Sequence, residues 1–122
     1  MLSDAIMVRL SVALRAASAH NAFELLETLR FLMATTSLET GCVDCSAWTE
    51  RDFTVHYREG WASEADARRR VRSREFTSLL GVMECATAPP LVQFDFVAMT
   101  RGLDFVEEVR RGAGDRRRIE ES

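Results

Sequence analysis

The feature that most restricts how this chain can fold is a change of hydrophobic period at Trp61. Upstream of it, Phe53, Val55, Tyr57, Glu59 and Trp61 alternate with Thr54, His56, Arg58 and Gly60, the period-two pattern of a strand. Ser63 and Asp66 follow at the spacing of a helix capping box. Ser73 and Phe76 then lead into a second helix, where Phe76, Leu79, Leu80 and Met83 repeat at i, i+3, i+4 and i+7, an amphipathic stripe. A strand that runs directly into a helix makes a corner. Here a large aromatic closes the strand just under a helix N-terminus, and such a corner can floor a small-molecule pocket.

The rest of the chain supplies what packs around that corner. Ile6 to Leu14 alternates strictly, with Ile6, Val8, Leu10, Val12 and Leu14 on one side, so it reads as a strand with one apolar face. Asn21 and Glu24 resemble a capping box, and Leu25, Leu26, Leu29, Leu32 and Met33 follow at helical spacing. That helix is expected to stop before Gly41, which can take the left-handed conformation past a helix end. Cys42 to Glu50 is a second strand, with Val43, Cys45 and Ala47 alternating against Asp44, Ser46 and Trp48. Its short link to Phe53–Trp61 makes the two an antiparallel hairpin. The helix opened by Ser63 is basic, with Arg68, Arg69, Arg70 and Arg72, and reads as a solvated face. Pro89-Pro90 marks a loop, and Leu91 to Met99 alternates as a fourth strand. Leu103 to Val109 is a short element of unassigned type. Residues 112–122, with two glycines and charges of both signs, read as a mobile tail behind a single domain of residues 1–111.

The order strand, helix, strand, strand, helix pair, strand is the split β-α-β-β-α-β arrangement. It predicts an α+β, ferredoxin-like fold: a four-stranded antiparallel sheet with helices on one face. A length of 122 residues suits one domain. The formal charge of −3 gives no reason to expect a nucleic-acid partner. No apolar run approaches the roughly 18 residues of a membrane span. Met1 to Ile6 carries neither a basic nor an apolar leader region, so the cytoplasm is the default location.

Three cysteines, an odd count, do not suggest a disulfide framework. Cys42 and Cys45 are three apart on a strand, which should send them to opposite faces. They would then not share an ion. There is no second cysteine pair to complete a zinc site, and no metal is expected.

At Trp61 the chain resembles the antibiotic-biosynthesis-monooxygenase family of small dimeric α/β-barrel proteins. Gly41-Cys42 opening the second strand and Glu59-x-Trp61 closing the third carry the resemblance. Ser63, Ala65, Ser73 and Phe76 follow at the family's spacing, and the apolar helix through Leu79, Leu80 and Met83 comes next. The resemblance covers roughly residues 6 to 100. It implies a homodimer acting on a small aromatic, phenolic or quinol substrate with O2, using no metal, flavin or other cofactor. Relatives often carry a histidine nine residues after the tryptophan, where this chain has Arg70, and some carry an asparagine where it has Tyr57. The haem-degrading branch resembles it less, because no histidine follows on the helix after Trp61 to ligate iron.

Tyr57, Glu59 and Trp61 share one strand face and make the expected catalytic set. A cofactor-free oxygenase must take a proton from its substrate, hold the anion and exclude water. A carboxylate on an apolar face suits the base, and the phenol and indole offer donors to a developing oxyanion. Arg70, Phe76 and Leu80 are the expected substrate-binding residues, with Arg70 supplying positive charge. The alternative is that Tyr57 and Trp61 are core aromatics with satisfied polar ends and that Glu59 pairs with an arginine, in a non-catalytic small-molecule-binding or structural dimer. His56 falls on the opposite face and reads as structural, and His20 as an exposed loop residue. That opposite face is the expected dimer contact. Trp48, Leu91, Val97 and Met99 would anchor it around the pairs Arg9–Asp95 and Asp44–Arg58.

Overall fold

The structure, a computed structural model, describes residues 7–98 and 102–121. The elements run β1 (Met7–Arg15), α1 (Ala19–Thr36), β2 (Cys42–Thr49), β3 (Thr54–Trp61), α2 (Glu64–Arg72), α3 (Phe76–Met83), β4 (Leu91–Val97) and α4 (Leu103–Glu121). The four strands form one sheet in the order β2-β3-β1-β4, with every neighbouring pair antiparallel. This is the α+β, ferredoxin-like arrangement expected from the order of periodicities. Among the described residues no helix is long and apolar enough to cross a membrane.

The core lies between the inner sheet face and α1 with α3. Leu10, Val12 and Leu14 of β1 and Val55 and Tyr57 of β3 meet Leu25, Leu26 and Leu29 of α1 and Phe76, Leu79 and Met83 of α3. Each such aliphatic side chain removed from water contributes about 1.5–3 kcal/mol. Ala47 and Cys45 of β2 pack against the edge of this cluster, but no residue of β4 belongs to it. The inward-facing side chains of β4, namely Val92, Phe94 and Phe96, are instead 46%, 39% and 56% exposed.

Local chemistry moved several boundaries. Ser18, not Asn21, caps α1: its hydroxyl accepts from the Asn21 N–H, while Asn21 Oδ1 accepts from Ala17 N–H. His20 therefore sits in the first helical turn. The helix ends at Thr36, and Gly41 does not cap it. Gly41 is in the left-handed region, φ +88°, and a Cβ there would fall 2.3 Å from Asp66 Cγ. Its role is to let the entry to β2 pass close to α2. Phe53 falls outside β3, in the hairpin turn with φ 64°. Ser63 caps α2 as expected, accepting from the Asp66 N–H and donating to Asp66 Oδ2.

On α3 the buried stripe is Phe76, Leu79, Val82 and Met83, whereas Leu80 is 44% exposed. A helix that buries positions 76, 79, 82 and 83 turns position 80 toward solvent. Leu103–Glu121 is a continuous helix, so the unassigned element and residues 112–121 of the expected tail share one α-helical backbone. Gly112 and Gly114 each cost about 1 kcal/mol there, but Arg and Glu around them are good helix formers. Ile6 and Met99 lie outside the described residues.

Candidate functional site

Period-two geometry along β3 aims Tyr57, Glu59 and Trp61 inward together. Tyr57 is 1% exposed, Glu59 0% and Trp61 2%. A carboxylate this deep must be matched by donors, and it is. Tyr57 Oη donates to Glu59 Oε2 at 2.5 Å, and Trp61 Nε1 donates to Oε1 at 2.9 Å. The fourth member comes from α2. Arg70 Nη2 donates to Oε2 at 2.8 Å, and Nε reaches Oε1 and Oε2 at 3.2 and 3.3 Å.

Arg70 itself is buried and tied further into the fold. Its Nη1 donates to Glu39 Oε2 and its Nη2 to Thr36 Oγ1, both at 3.3 Å. Its guanidinium carbon lies 5.3 Å from the centre of the Phe76 ring, a cation–π distance. One residue of the basic helix thus faces inward while Arg68, Arg69 and Arg72 stay exposed. The phase of the helix decides this: Ala67, one turn earlier, is buried with it.

The electrostatics follow from burial and the Glu59 charge. Burial, then the neighbouring Glu59, drives the Tyr57 phenol far above its ordinary range, so it stays a neutral donor. Burial works against the charge on Arg70, but hydrogen bonds to Glu59 and the charge of Glu59 outweigh it and raise its pKa. The Cys45 thiol, 3.4 Å from Tyr57 Oη, is pushed up to about 11, mainly by burial and then by Glu59, against a lowering from its contact with Tyr57. Burial, followed by Glu59, also raises the Cys42 thiol.

Cys42 and Cys45 do not point to opposite faces. A β-bulge between Cys42 and Asp44 inserts one residue, so Cys42 opposes Trp61 and Cys45 opposes Glu59. Both thiols therefore face inward, and Val43 and Asp44 crowd over Gly60. Two thiols still do not complete an ion site, and among the described residues no three His, Cys, Asp or Glu side chains are grouped as metal ligands.

The trio is sealed, but a groove opens beside it. Val8 of β1 lies between Trp61 of β3 and Phe96 of β4 in the sheet register. Val8, Trp61 and Ala67 pack as a small cluster with Cys42 against its edge. On the β4 side of that cluster, Val8, Phe94 and Phe96 floor a groove of about 320 Å³. Ala67 and Val71 of α2 form its wall, and Glu64, Arg68 and Arg72 its rim. That volume suits a small ligand, and an apolar lining with a few charged groups is typical of ligand sites. Trp61 thus stands between the buried network and the groove.

The structure brings Tyr57, Glu59, Trp61, Arg70 and Phe76 into one assembly and leaves Leu80 outside it. Sequence reasoning missed Thr36 and Glu39 in the network, and Ala67, Val71, Phe94 and Phe96 at the groove. On the outer face, His56 stacks on Trp48 with ring centres 5.2 Å apart, and Arg58 lies 5.4 Å from the Trp48 ring centre. His56 Nε2 stands 3.1 Å from Glu50 Oε1 without hydrogen-bond alignment. Arg9 does oppose Asp95, but Asp44 opposes Gly60 rather than Arg58. Among the described residues neither expected pair is an ion pair in the single chain. Asp95 instead accepts from Gln93, and Arg9 Nε and Arg58 Nε are buried without partners.

No protein-family model and no curated protein matches this chain. Solved structures do share its fold. A candidate antibiotic biosynthesis monooxygenase from Deinococcus radiodurans superposes with a TM-score of 0.68 at 15% identity, covering 78% of this chain and 96% of that one. A second from Caulobacter crescentus CB15 has a TM-score of 0.64 at 15% identity, over 79% and 92%. A conserved protein of unknown function from Bacteroides thetaiotaomicron, a possible oxidoreductase, has a TM-score of 0.65 at 19% identity, over 75% and 97%. At these identities the likeness establishes that the chain has the fold these proteins share.

Proposed function

We propose that this chain is a homodimeric monooxygenase that binds a small aromatic, phenolic or quinol compound in the groove between α2 and β4 and oxidises it with O2. The observation that carries the reading is the groove itself: an apolar cleft of about 320 Å³ against the Val8–Trp61–Ala67 cluster. The fold shared with candidate monooxygenases supports the choice of chemistry. No cofactor is required, because the substrate supplies all four electrons. A CH2 between aromatic rings, or a ring C–H opposite a phenol, becomes C=O; in a quinol, one ring C–H becomes C–OH while the two hydroxyls become carbonyls. One oxygen atom of O2 enters the product and the other leaves as water. The first step removes a proton from the substrate, and the resulting anion then passes an electron to O2.

In this reading Tyr57, Glu59, Trp61 and Arg70 hold the wall of the site rigid. A sealed carboxylate with donors on both oxygens can act as the base only if a substrate displaces one of those donors. Arg68 and Arg72 at the rim offer positive charge to a phenolate or enolate in the groove. The outer sheet face, with its partnerless Arg9 and Arg58 nitrogens, is the surface for the second copy.

The same seal favours a second reading, a non-catalytic dimer that binds the same ligands. O2 uptake with a panel of anthrones and hydroquinones, run beside thermal shift with the same panel, separates the two. Turnover above the buffer rate that Val71→Trp, at an exposed position lining the groove, abolishes by filling it is the expected result. Stabilisation without turnover establishes the second reading, since a ligand that binds only the folded state stabilises by mass action. Neither turnover nor stabilisation removes both.

A further inference from the structure

The network beneath the groove joins two side chains that give up one electron readily. Tyr57 is the chain's one tyrosine, and Trp61 is one of its two tryptophans. Both hydrogen-bond to the same carboxylate: Tyr57 Oη donates to Glu59 Oε2 at 2.5 Å, and Trp61 Nε1 donates to Oε1 at 2.9 Å. A phenol or indole that loses an electron becomes far more acidic. Its oxidation is therefore easiest where a positioned base already holds its proton in a hydrogen bond. Here one base serves both rings.

Charge balance favours the same use. Burial, then the Glu59 charge, drives the Tyr57 phenol far above its ordinary range. The phenol therefore does not ionise first, and its electron and proton must leave together. Glu59 Oε2 is the base within reach. Arg70 lies between two carboxylates, with Nη1 donating to Glu39 Oε2 at 3.3 Å. It therefore keeps a counter-charge when Glu59 takes a proton, and a buried cation left with no partner is costly. The seal over the network separates electrons from protons. Val8 and Ala67 pack against Trp61 and also line the groove, so they form a wall one side chain thick. An electron tunnels through such a wall, whereas a proton needs a chain of hydrogen bonds.

We propose that Trp61, Glu59 and Tyr57 form a one-electron relay that draws oxidising equivalents out of the groove and into the sealed interior. The oxidant is a peroxyl radical formed from the substrate and O2. It takes one electron from Trp61 and becomes a peroxide anion, while the Nε1 proton shifts to Glu59 Oε1. Tyr57 then passes one electron to the neutral indolyl radical and its proton to Oε2, and the Oε1 proton returns to Nε1. The phenoxyl is the more stable of the two neutral radicals, so the transfer runs toward Tyr57. In net, one electron moves from Tyr57 to the peroxyl radical and one proton from Tyr57 to Glu59. Trp61 is restored, and Tyr57 ends as a neutral tyrosyl radical. The choice of a peroxyl radical rests on the oxygenase reading of the groove, but the relay does not, because any one-electron oxidant held there would feed it.

Flash photolysis of the full chain, with an oxidant tethered at the groove, tests this without substrate or O2. The background is Trp48→Phe/Cys45→Ala/Cys85→Ser. It leaves Trp61 as the sole indole, removes the thiol 3.4 Å from Tyr57 Oη that would drain the radical, and removes the exposed native thiol. Val71→Cys, at the groove wall, carries a ruthenium polypyridyl label that a flash and a dissolved electron acceptor convert to the oxidant. Indolyl absorption is expected to appear first and to decay as tyrosyl absorption rises, with a slower rise in heavy water. Tyr57→Phe should leave the indolyl radical and abolish the tyrosyl signal, and Trp61→Phe should lose most of the tyrosyl yield. A tyrosyl yield undiminished by Trp61→Phe overturns the relay. So does an indolyl radical that decays in the background chain with no tyrosyl signal, a result that needs neither ring variant to fold. A rise of equal rate in heavy water overturns the part given to Glu59. A working relay in a chain that oxidises no aromatic compound supports the inference and removes the oxygenase reading alone.

Discussion

The inner face of the sheet is built in two contrasting ways. At β3 it is polar, sealed and saturated: Glu59 is fully buried and accepts from Tyr57, Trp61 and Arg70. At β4, two strands away in the sheet, it is apolar and open, with Val92, Phe94 and Phe96 facing the side of the helices but not covered by them. The usual expectation is the reverse, with charge outside and aromatics inside. The difference shows that coverage, not composition, decides burial here. α1 and α3 pack over β1 to β3, and the charged group beneath them is tolerated because its partners are buried with it.

The contrast breaks most readily at the ion pair. Replacing Glu59 with Gln leaves Arg70 buried with only the partly exposed Glu39 as a counter-charge, and loss of a buried partner costs about 3–5 kcal/mol. Urea denaturation of Glu59→Gln should show a fall of that size, and the double change Glu59→Leu/Arg70→Met should recover part of it, because Tyr57 Oη and Trp61 Nε1 still lose their acceptor. A double variant as unstable as the single one would mean that the fold needs the charges themselves. Tyr57→Phe removes one donor to a charged acceptor and should cost about 1.5–3 kcal/mol in the same assay.

A pH titration sharpens the same side of the contrast. Cys45 and Tyr57 both hold their protons more tightly in the folded state. Their contributions are therefore complete below the unfolded pKa values and are lost as pH rises. For Cys45 the decline should run from about 9 to about 11. For Tyr57 it should set in above about pH 10. Thermal melts from pH 7 to 11 should show stability falling at the alkaline end, and Cys45→Ala should flatten the first part of that fall. A melting temperature unchanged across that range would contradict the burial of both groups. The smallest effect belongs to the open side: Phe96→Ala, at a half-exposed position, should cost under about 1 kcal/mol in a monomeric chain. A larger loss that grows with protein concentration would mean that β4 is covered in solution.

Much of this was legible before any coordinates. Strict alternation placed Tyr57, Glu59 and Trp61 on one face, because a strand has no other way to arrange them, and the order of periodicities led to the fold. What escaped was whatever depended on phase or on one extra residue. Four arginines in five positions of α2 read as a solvated run, and only the rotation of that helix sends Arg70 inward. The bulge beyond Cys42 reverses the facing expected of the two cysteines, and no local residue type announces it. Leu80 fits an i, i+4 stripe on paper but loses its place to Val82. The groove was hidden for a different reason: β4 alternates like a covered strand, and the number of strands that α1 and α3 can cover is a property of the whole packing.

The bulge in β2 has one more consequence, for the behaviour of the sheet's two rims. β2 and β4 are the outer strands, and each offers an unpaired row of backbone donors and acceptors. The irregularity at Cys42–Asp44 interrupts that row in β2, a device that discourages the joining of sheets between molecules. β4 has no such interruption in its pairing with β1. Its sequence, Leu-Val-Gln-Phe-Asp-Phe-Val, is rich in β-formers and carries a single charge at Asp95, close to the composition of segments that stack into fibrils. Asp95 is therefore the gatekeeper of this rim. When the chain is newly made or heat-softened, clumping should begin at β4 and not at β2.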